Sequence, residues 1–280
     1  MDNFKSVKNT NPILTKYIDS YYFHRNENCK KSNCITFFPN VNNALTIYQN
    51  ATVNILNQDP LRIKVVNSKT ENYTFLYGGI QKKFVISEME SPFNKIGIIF
   101  KPLGINHFLT IPNLGLKLRK DYNFPYFKEL FRNELSNIFS ETCLENKIEI
   151  LDQFFIKSLN PDFNEPEVEK VITLIENSDK SLKISDISDQ LSMNSKAICR
   201  KFKNNLNCTP KFYSKVFHFR KALNEYQNNN KNVKLTHLAF NNSYYDQSDF
   251  IKNFKILTGD KPLKILKNIE DFGHNIFWIK

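Results

Sequence analysis

The spacing of apolar residues changes character near the middle of the chain. From about Asn33 to Lys101 they fall in short β-branched or aromatic runs: NCITFFP, ALTIY, TVNIL, LRIKVV, YTFLYGG, KFVISE and KIGIIFK. Asn, Asp, Pro and Gly separate the runs, which predicts many short strands and hence a sandwich or small barrel. The period then lengthens. PYFKELFRNELSNIF places Phe127, Leu130, Phe131, Leu135 and Ile138 on one stripe, and CLENKIEILDQFFIKSL does so with Leu144, Ile148, Leu151, Phe155 and Leu159. Both stripes predict amphipathic helices. The segment NPDFNEP, Asn160 to Pro166, has two prolines and no periodicity, and marks a boundary between residues 1–160 and 161–280.

Beyond that boundary the pattern is helical throughout. Asn164 is placed to cap a helix with Pro166 in its first turn and Glu167 three residues on, with Val168, Val171, Ile172 and Ile175 as its buried stripe. A short helix around Ser185–Leu191 turns Ile184, Ile187 and Leu191 inward, the turn SMN follows, and a longer helix runs from Ser195 to Leu206. Two short helices joined by so tight a turn make a helix-turn-helix. A long helix then starts at Thr209-Pro210 with Phe212, Val216, Phe219, Leu223 and Tyr226 inward. After the polar loop NNNKN the arrangement returns: Leu235, Leu238 and Ala239 mark a short helix, NNSYY the turn, and Asp246 caps a helix from Gln247 to Leu257. The repetition is visible in the letters. Phe202-Lys203 leads to Pro210 as Phe254-Lys255 leads to Pro262, at the same offset of 52 residues. The fold class expected is therefore α+β with two domains: a β-rich N-terminal domain with trailing helices, then an all-α domain with two helix-turn-helix units joined by a long linker helix.

Charge narrows the partner. The 280 residues carry a formal net charge of +11, which favours an anionic partner, nucleic acid before a membrane surface. Between Asn194 and Lys234 ten Lys or Arg face a single acid, Glu225. On the longer helix of the first unit Ile198, Phe202 and Leu206 form the buried stripe, leaving Lys196, Cys199, Arg200 and Lys203 outward. In the second, Phe250, Phe254 and Leu257 face inward, leaving Gln247, Ser248, Ile251, Lys252 and Lys255 outward. A helix face of this kind is what the major groove of double-stranded DNA admits.

On these residues the stretch from about 165 to 266 resembles the C-terminal DNA-binding domain of AraC/XylS-type transcription regulators. YDQSDFIKNFKILTGDKP is similar to that family's closing pattern, while RKFKNNLNCTPKFY and FRKA match its first unit and linker helix. The resemblance implies double-stranded DNA as partner, with RNA polymerase, a small-molecule effector and a second copy of the chain as further candidates. It also implies a sensory or dimerisation domain in front, often a cupin-like barrel; GGIQKKFVISE followed by IGIIFKPLGINHFL looks like such a domain. Departures from the pattern are informative. Asn207 and Ser243 stand where the family has glycines, Lys252 is a point charge rather than a bidentate fork, and Cys199 and Ile251 offer only apolar contact to a thymine methyl. Arg200 is thus expected to carry most of the hydrogen-bonded base reading.

Other chemistry is not supported. His24 and His107 are isolated, so neither metal nor cofactor is expected. Five scattered cysteines without a CxxC fit a reduced cytoplasm, and the N-terminus has no signal-peptide or membrane-spanning apolar core. Tyr21, Tyr22, Phe23, Phe37 and Phe38 supply either core packing or the wall of a ligand pocket, and packing is the simpler account. A competing reading is a DNA-modifying or repair enzyme that uses the helical domain for targeting, which would require an activated cysteine.

Overall fold

Each of the seven apolar runs between Asn33 and Lys101 becomes a strand. The computed structural model describes residues 2–27, 33–109, 111, 113–117, 124–127, 131, 133–178, 181–229, 232–271, 273 and 277–279. The runs form β3 (Asn33–Phe37), β4 (Asn43–Gln49), β5 (Ala51–Gln58), β6 (Leu61–Asn67), β7 (Tyr73–Gly78), β8 (Val85–Met89) and β9 (Phe93–Phe100). Two strands precede them, β1 (Asp2–Lys8) and β2 (Ile18–Asn26), and two short ones close the chain, β10 (Glu270–Asp271) and β11 (Phe277–Ile279). One sheet has the order β1-β2-β9-β4-β7 and the other β10-β11-β3-β8-β6-β5. They are antiparallel except where β6 pairs with β8. Side chains from both sheets meet in a shared core, among them Tyr48 and Phe93 from the first and Ile35, Val65 and Met89 from the second.

The strands β1 and β2 lie outside the sequence runs because polar residues interrupt their apolar pattern, two of which, Asp19 and Tyr21, find tertiary partners. Asp19 accepts from Lys8, and the Tyr21 hydroxyl donates to Asp152 Oδ1 at 2.8 Å. Asp152 belongs to α3 (Leu144–Lys157), so this bond ties a helix to the sheet. The helices α1 (Leu114–Lys117) and α2 (Glu134–Ser140) precede it. The single helix expected over PYFKELFRNELSNIF is not formed: a 3₁₀ turn covers Pro125–Phe127 and α2 begins only at Glu134. Its stripe residues are still buried, because Phe127, Phe131 and Phe155 pack edge to face and Phe131 stacks on Phe154. Leu130 lies outside the described residues, as do Cys29 and residues 230–231 of the polar loop.

Seven helices follow: α4 (Pro166–Glu176), α5 (Ile184–Leu191), α6 (Ser195–Leu206), α7 (Pro210–Asn228), α8 (Leu235–Asn241), α9 (Gln247–Thr258) and α10 (Pro262–Asn268). The cap of α4 is Glu165 rather than the expected Asn164. Pro166 occupies the first helical turn, where its missing N–H costs nothing, and so moves the cap to the residue before it. Ile198, Phe202, Phe219, Leu238, Phe250 and Phe254 centre the helical core. Phe38, Val41, Ile80 and Leu103 from the β-rich part join it, and β11 pairs back onto β3. The two parts thus share one apolar cluster and one sheet.

Candidate DNA-binding face

The first unit is α5, a turn and α6. Ser192 takes the left-handed conformation that the turn requires (φ 51°), and the Asn194 side chain caps α6 by accepting from Lys196 N at 2.8 Å. The helix ends on Asn207, whose φ of 56° fits its role as a glycine substitute and whose N–H returns to the Lys203 carbonyl. Phe202 is fully buried edge-on to Tyr213, which fixes the rotation of α6 about its axis. That rotation leaves Lys196, Arg200 and Lys203 exposed and Cys199 half-buried.

The second unit repeats this construction. Ser243 is left-handed (φ 63°), Asp246 accepts from Asp249 N at 2.7 Å, and Gly259 closes α9 with φ 80°. Phe254 sits at the equivalent of Phe202, fully buried edge-on to Phe219. Gln247, Ser248, Lys252 and Lys255 are exposed. Ile251 is half-buried against the helical core and presents less surface than its outward helical position suggested.

Ion pairing separates structural charges from available ones. Lys201 reaches Glu165 at 3.2 Å and Glu167 at 3.4 Å, and its hydrogen bond to Glu165 leads the effects that raise its pKa; it tethers α6 to α4. Glu225, the single acid of the basic stretch, accepts from Asn241 and Asn242 at 2.6 Å each and holds the linker helix to the end of α8. Among the described residues, Lys196, Arg200, Lys203, Lys252 and Lys255 make no ion pair. The sequence reading passed over Lys215 on α7. Burial lowers its pKa, and Lys252 and Lys211 lower it further against the opposing effect of Asp249, which places these lysines in one patch on the linker and second unit. Tyr245, directly before the cap of α9, is 95% exposed and was also missed. An aromatic in a turn carries no periodic signal.

The β-rich part touches α6 and α9, the second helices of the two units, at their C-terminal caps. A Cβ on Gly115 in α1 would lie 2.7 Å from Asn207 N and 2.8 Å from Asn204 O, so the two backbones meet directly. At the second cap the Phe84 ring lies where a Cβ on Gly259 would be, at 2.5 Å. A cavity of about 150 Å³ lies between the sheets, walled by Tyr22, Tyr48, Ile63, Leu76 and Phe37 among others, with Arg220 of α7 at its edge. The Arg220 guanidinium donates from Nε to the Pro39 carbonyl at 2.7 Å and from Nη2 to that of Phe38 at 2.9 Å; burial pulls its pKa down to about 9. Of the aromatic residues that the sequence left between core and pocket, Tyr21 is core, while Tyr22, Phe37 and Phe38 line the cavity.

Cys34 and Cys208 lack the features of a nucleophile. Burial raises the pKa of Cys34 and pushes that of Cys208 up to about 12, the opposite of thiolate activation. No described helix is long and apolar enough to cross a membrane.

A two-sheet β part followed by a double helix-turn-helix is the architecture that the resemblance to AraC/XylS-type regulators implied. Several solved structures align with the chain. Vibrio cholerae ToxT aligns over 95% of this chain and 96% of its own at 13% identity and a TM-score of 0.48. The same protein with an unsaturated fatty acid bound aligns over 95% and 94% at 12% identity and 0.49. A probable AraC family transcriptional regulator from Rhodopseudomonas palustris aligns over 37% of this chain and 96% of its own at 19% identity and 0.33. None of these three reaches a TM-score of 0.5, so what those proteins bind remains a property of those proteins. No family model matches the chain. A curated relative, the large ribosomal subunit protein uL4 of Wigglesworthia glossinidia brevipalpis, is 35% identical over 74 residues, which is 25% of this chain and 37% of that protein.

Proposed function

We propose that this chain is a sequence-specific DNA-binding transcription regulator, with residues 161–280 as the reading domain and 1–160 as the sensory or dimerisation domain. One observation carries the reading: two helix-turn-helix units, capped and buried alike, each expose a second helix whose outward basic residues (Lys196, Arg200 and Lys203; Lys252 and Lys255) make no ion pair among the described residues. Such a face loses little when it meets phosphate and releases counterions on doing so. The linker helix α7 has 19 residues and spans about 28 Å. With the helix radii added at each end, this approaches the roughly 34–36 Å between major grooves one turn apart. One chain then places two unlike readers on one DNA face, and its site is asymmetric. Arg200 makes the hydrogen-bonded base contact; Lys196, Lys203, Lys252 and Lys255 position the duplex; Gln247, Ser248, Cys199 and Ile251 read by shape and lighter contact.

Control enters through the β-rich, cupin-like part. Its cavity is comparable in size to engineered apolar cavities that bind benzene, which supports a small, mostly apolar effector. The segment between β7 and β8 forms part of the cavity wall through Gly79 and Gln81 and continues to Phe84 at the cap of α9. Arg220 joins the cavity edge to the linker helix in the same way. An activator working with RNA polymerase, as a monomer or homodimer, is compatible with this layout. Binding-site selection with purified protein tests the reading. An enriched asymmetric site supports it, and failure to enrich any sequence removes it.

A further inference from the structure

A second, larger cleft of about 620 Å³ lies between the two parts of the molecule, beside the C-terminal end of α6. One wall carries Lys203 of the reading face; the opposite wall carries Lys82 and Lys83 from the segment between β7 and β8. Asp59 is the one carboxylate among its lining residues, and it pairs with Lys83 at 2.7 Å. Three lysines against one acid leave the cleft cationic. Lys82 and Lys203 make no ion pair among the described residues. The segment is also anchored on both sides of the lysines. Ile80 is buried in the helical core before them, and Phe84 packs on Gly259 after them. The basic pair is therefore held against the reading domain by two apolar contacts, with little further ordering cost on binding.

Resting on the reading of α6 as a recognition helix, we propose that Lys82 and Lys83 form a third DNA contact, in which the β-rich part grips the sugar-phosphate backbone beside the first half-site. A helix lying in the major groove has a phosphate strand along each edge. Lys203 stands one turn beyond Arg200 on the same exposed face, so the strand that it meets passes the mouth of the cleft it shares with Lys82. The contact is a charge contact and carries no base preference.

The test is a DNA titration of the full chain at several salt concentrations, on the selected site and on a scrambled one. The Lys82→Ala/Lys83→Ala double variant should lose affinity for both DNAs by the same factor and lower the log–log salt slope by about one to two units, each phosphate contact being worth about 0.9. Asp59→Asn, which frees Lys83, should tighten binding to both DNAs, and the gain should vanish in a Lys83→Ala background. Both lysines are exposed, so the melting temperature should not change. An unchanged slope in the double variant, alongside a reduced slope for Lys203→Ala, overturns the third contact and leaves the recognition helices standing. A wild-type chain that binds neither DNA overturns the reading on which the inference rests.

Discussion

The caps of α6 and α9 reach the same geometry by opposite routes. Both helices end on a left-handed residue, Asn207 with φ 56° and Gly259 with φ 80°, and both of those ends are touched by the β-rich part. At the first, the helix keeps a side chain and the β-rich part supplies the glycine, Gly115, so that backbone meets backbone. At the second, the helix supplies the glycine and the β-rich part the bulk, the Phe84 ring. Close approach needs one missing side chain at each junction, and it does not matter which partner lacks it. The glycine at 259 therefore answers two demands, positive φ and space, whereas Asn207 answers only the first.

The strongest test of the equivalence between the units is in the core. Phe202 and Phe254 are both fully buried and edge-on to a ring of α7, Tyr213 and Phe219. Each mutation to Ala should cost about 3–5 kcal/mol in urea denaturation. If one cost less than a third of the other, the two helices would not be equivalently seated. Next comes the reading face, where the units should differ. Arg200→Ala should lower affinity for the selected site by about 1–3 kcal/mol while sparing scrambled DNA. Lys252→Ala and Lys255→Ala should weaken both DNAs alike, and a titration on the two DNAs separates these outcomes.

The caps provide a smaller effect. Gly259→Ala should destabilise by about 1–2 kcal/mol through its positive φ, with a further loss from the Phe84 contact. Asn207→Gly should be close to neutral. In a double-mutant cycle, Phe84→Ala should return part of the Gly259→Ala loss, and strict additivity would show that the ring and the glycine do not meet. A further effect is a pH dependence. His218 on α7 is buried with neither ring nitrogen bonded among the described residues, and burial holds its pKa down at about 4. The unfolded chain, with a His pKa of about 6.5, binds the extra proton first. The stabilising contribution is therefore full above that value and declines as pH falls toward 4. His218→Gln should make the fall of the urea midpoint over this window shallower without removing it, because burial holds His107 down at about 4 as well.

The helices α6 and α9 were legible because their determinants are local. Asn194, Asp246, Thr209-Pro210 and Pro262 are caps and stops that act within a turn, and α6 starts and ends where the letters place it. The seven strand runs were legible for a similar reason, each being short, apolar and bounded by turn formers. The strands β1 and β2 were not, since Asp19 and His24 are buried polar residues whose partners lie far along the chain or across the sheet. The return of β11 to β3 and the role of Arg220 were invisible because both depend on which surfaces dock. FRKA matched a linker helix, yet nothing in those letters shows that its arginine holds two carbonyls of the β-rich part. On the candidate site, the basic stripe was readable from helical spacing. Whether a lysine was free or tethered was not, as Lys201 and its two glutamates at the start of α4 show.

The central claim is that one chain carries two different readers held one groove apart, and footprinting of the full chain on its selected site tests it most directly. The account predicts two protected patches about 10 base pairs apart on one face, with Arg200→Ala loosening base preference in only one of them. A single protected patch, or an equal loss of preference in both patches with Arg200→Ala, would contradict it.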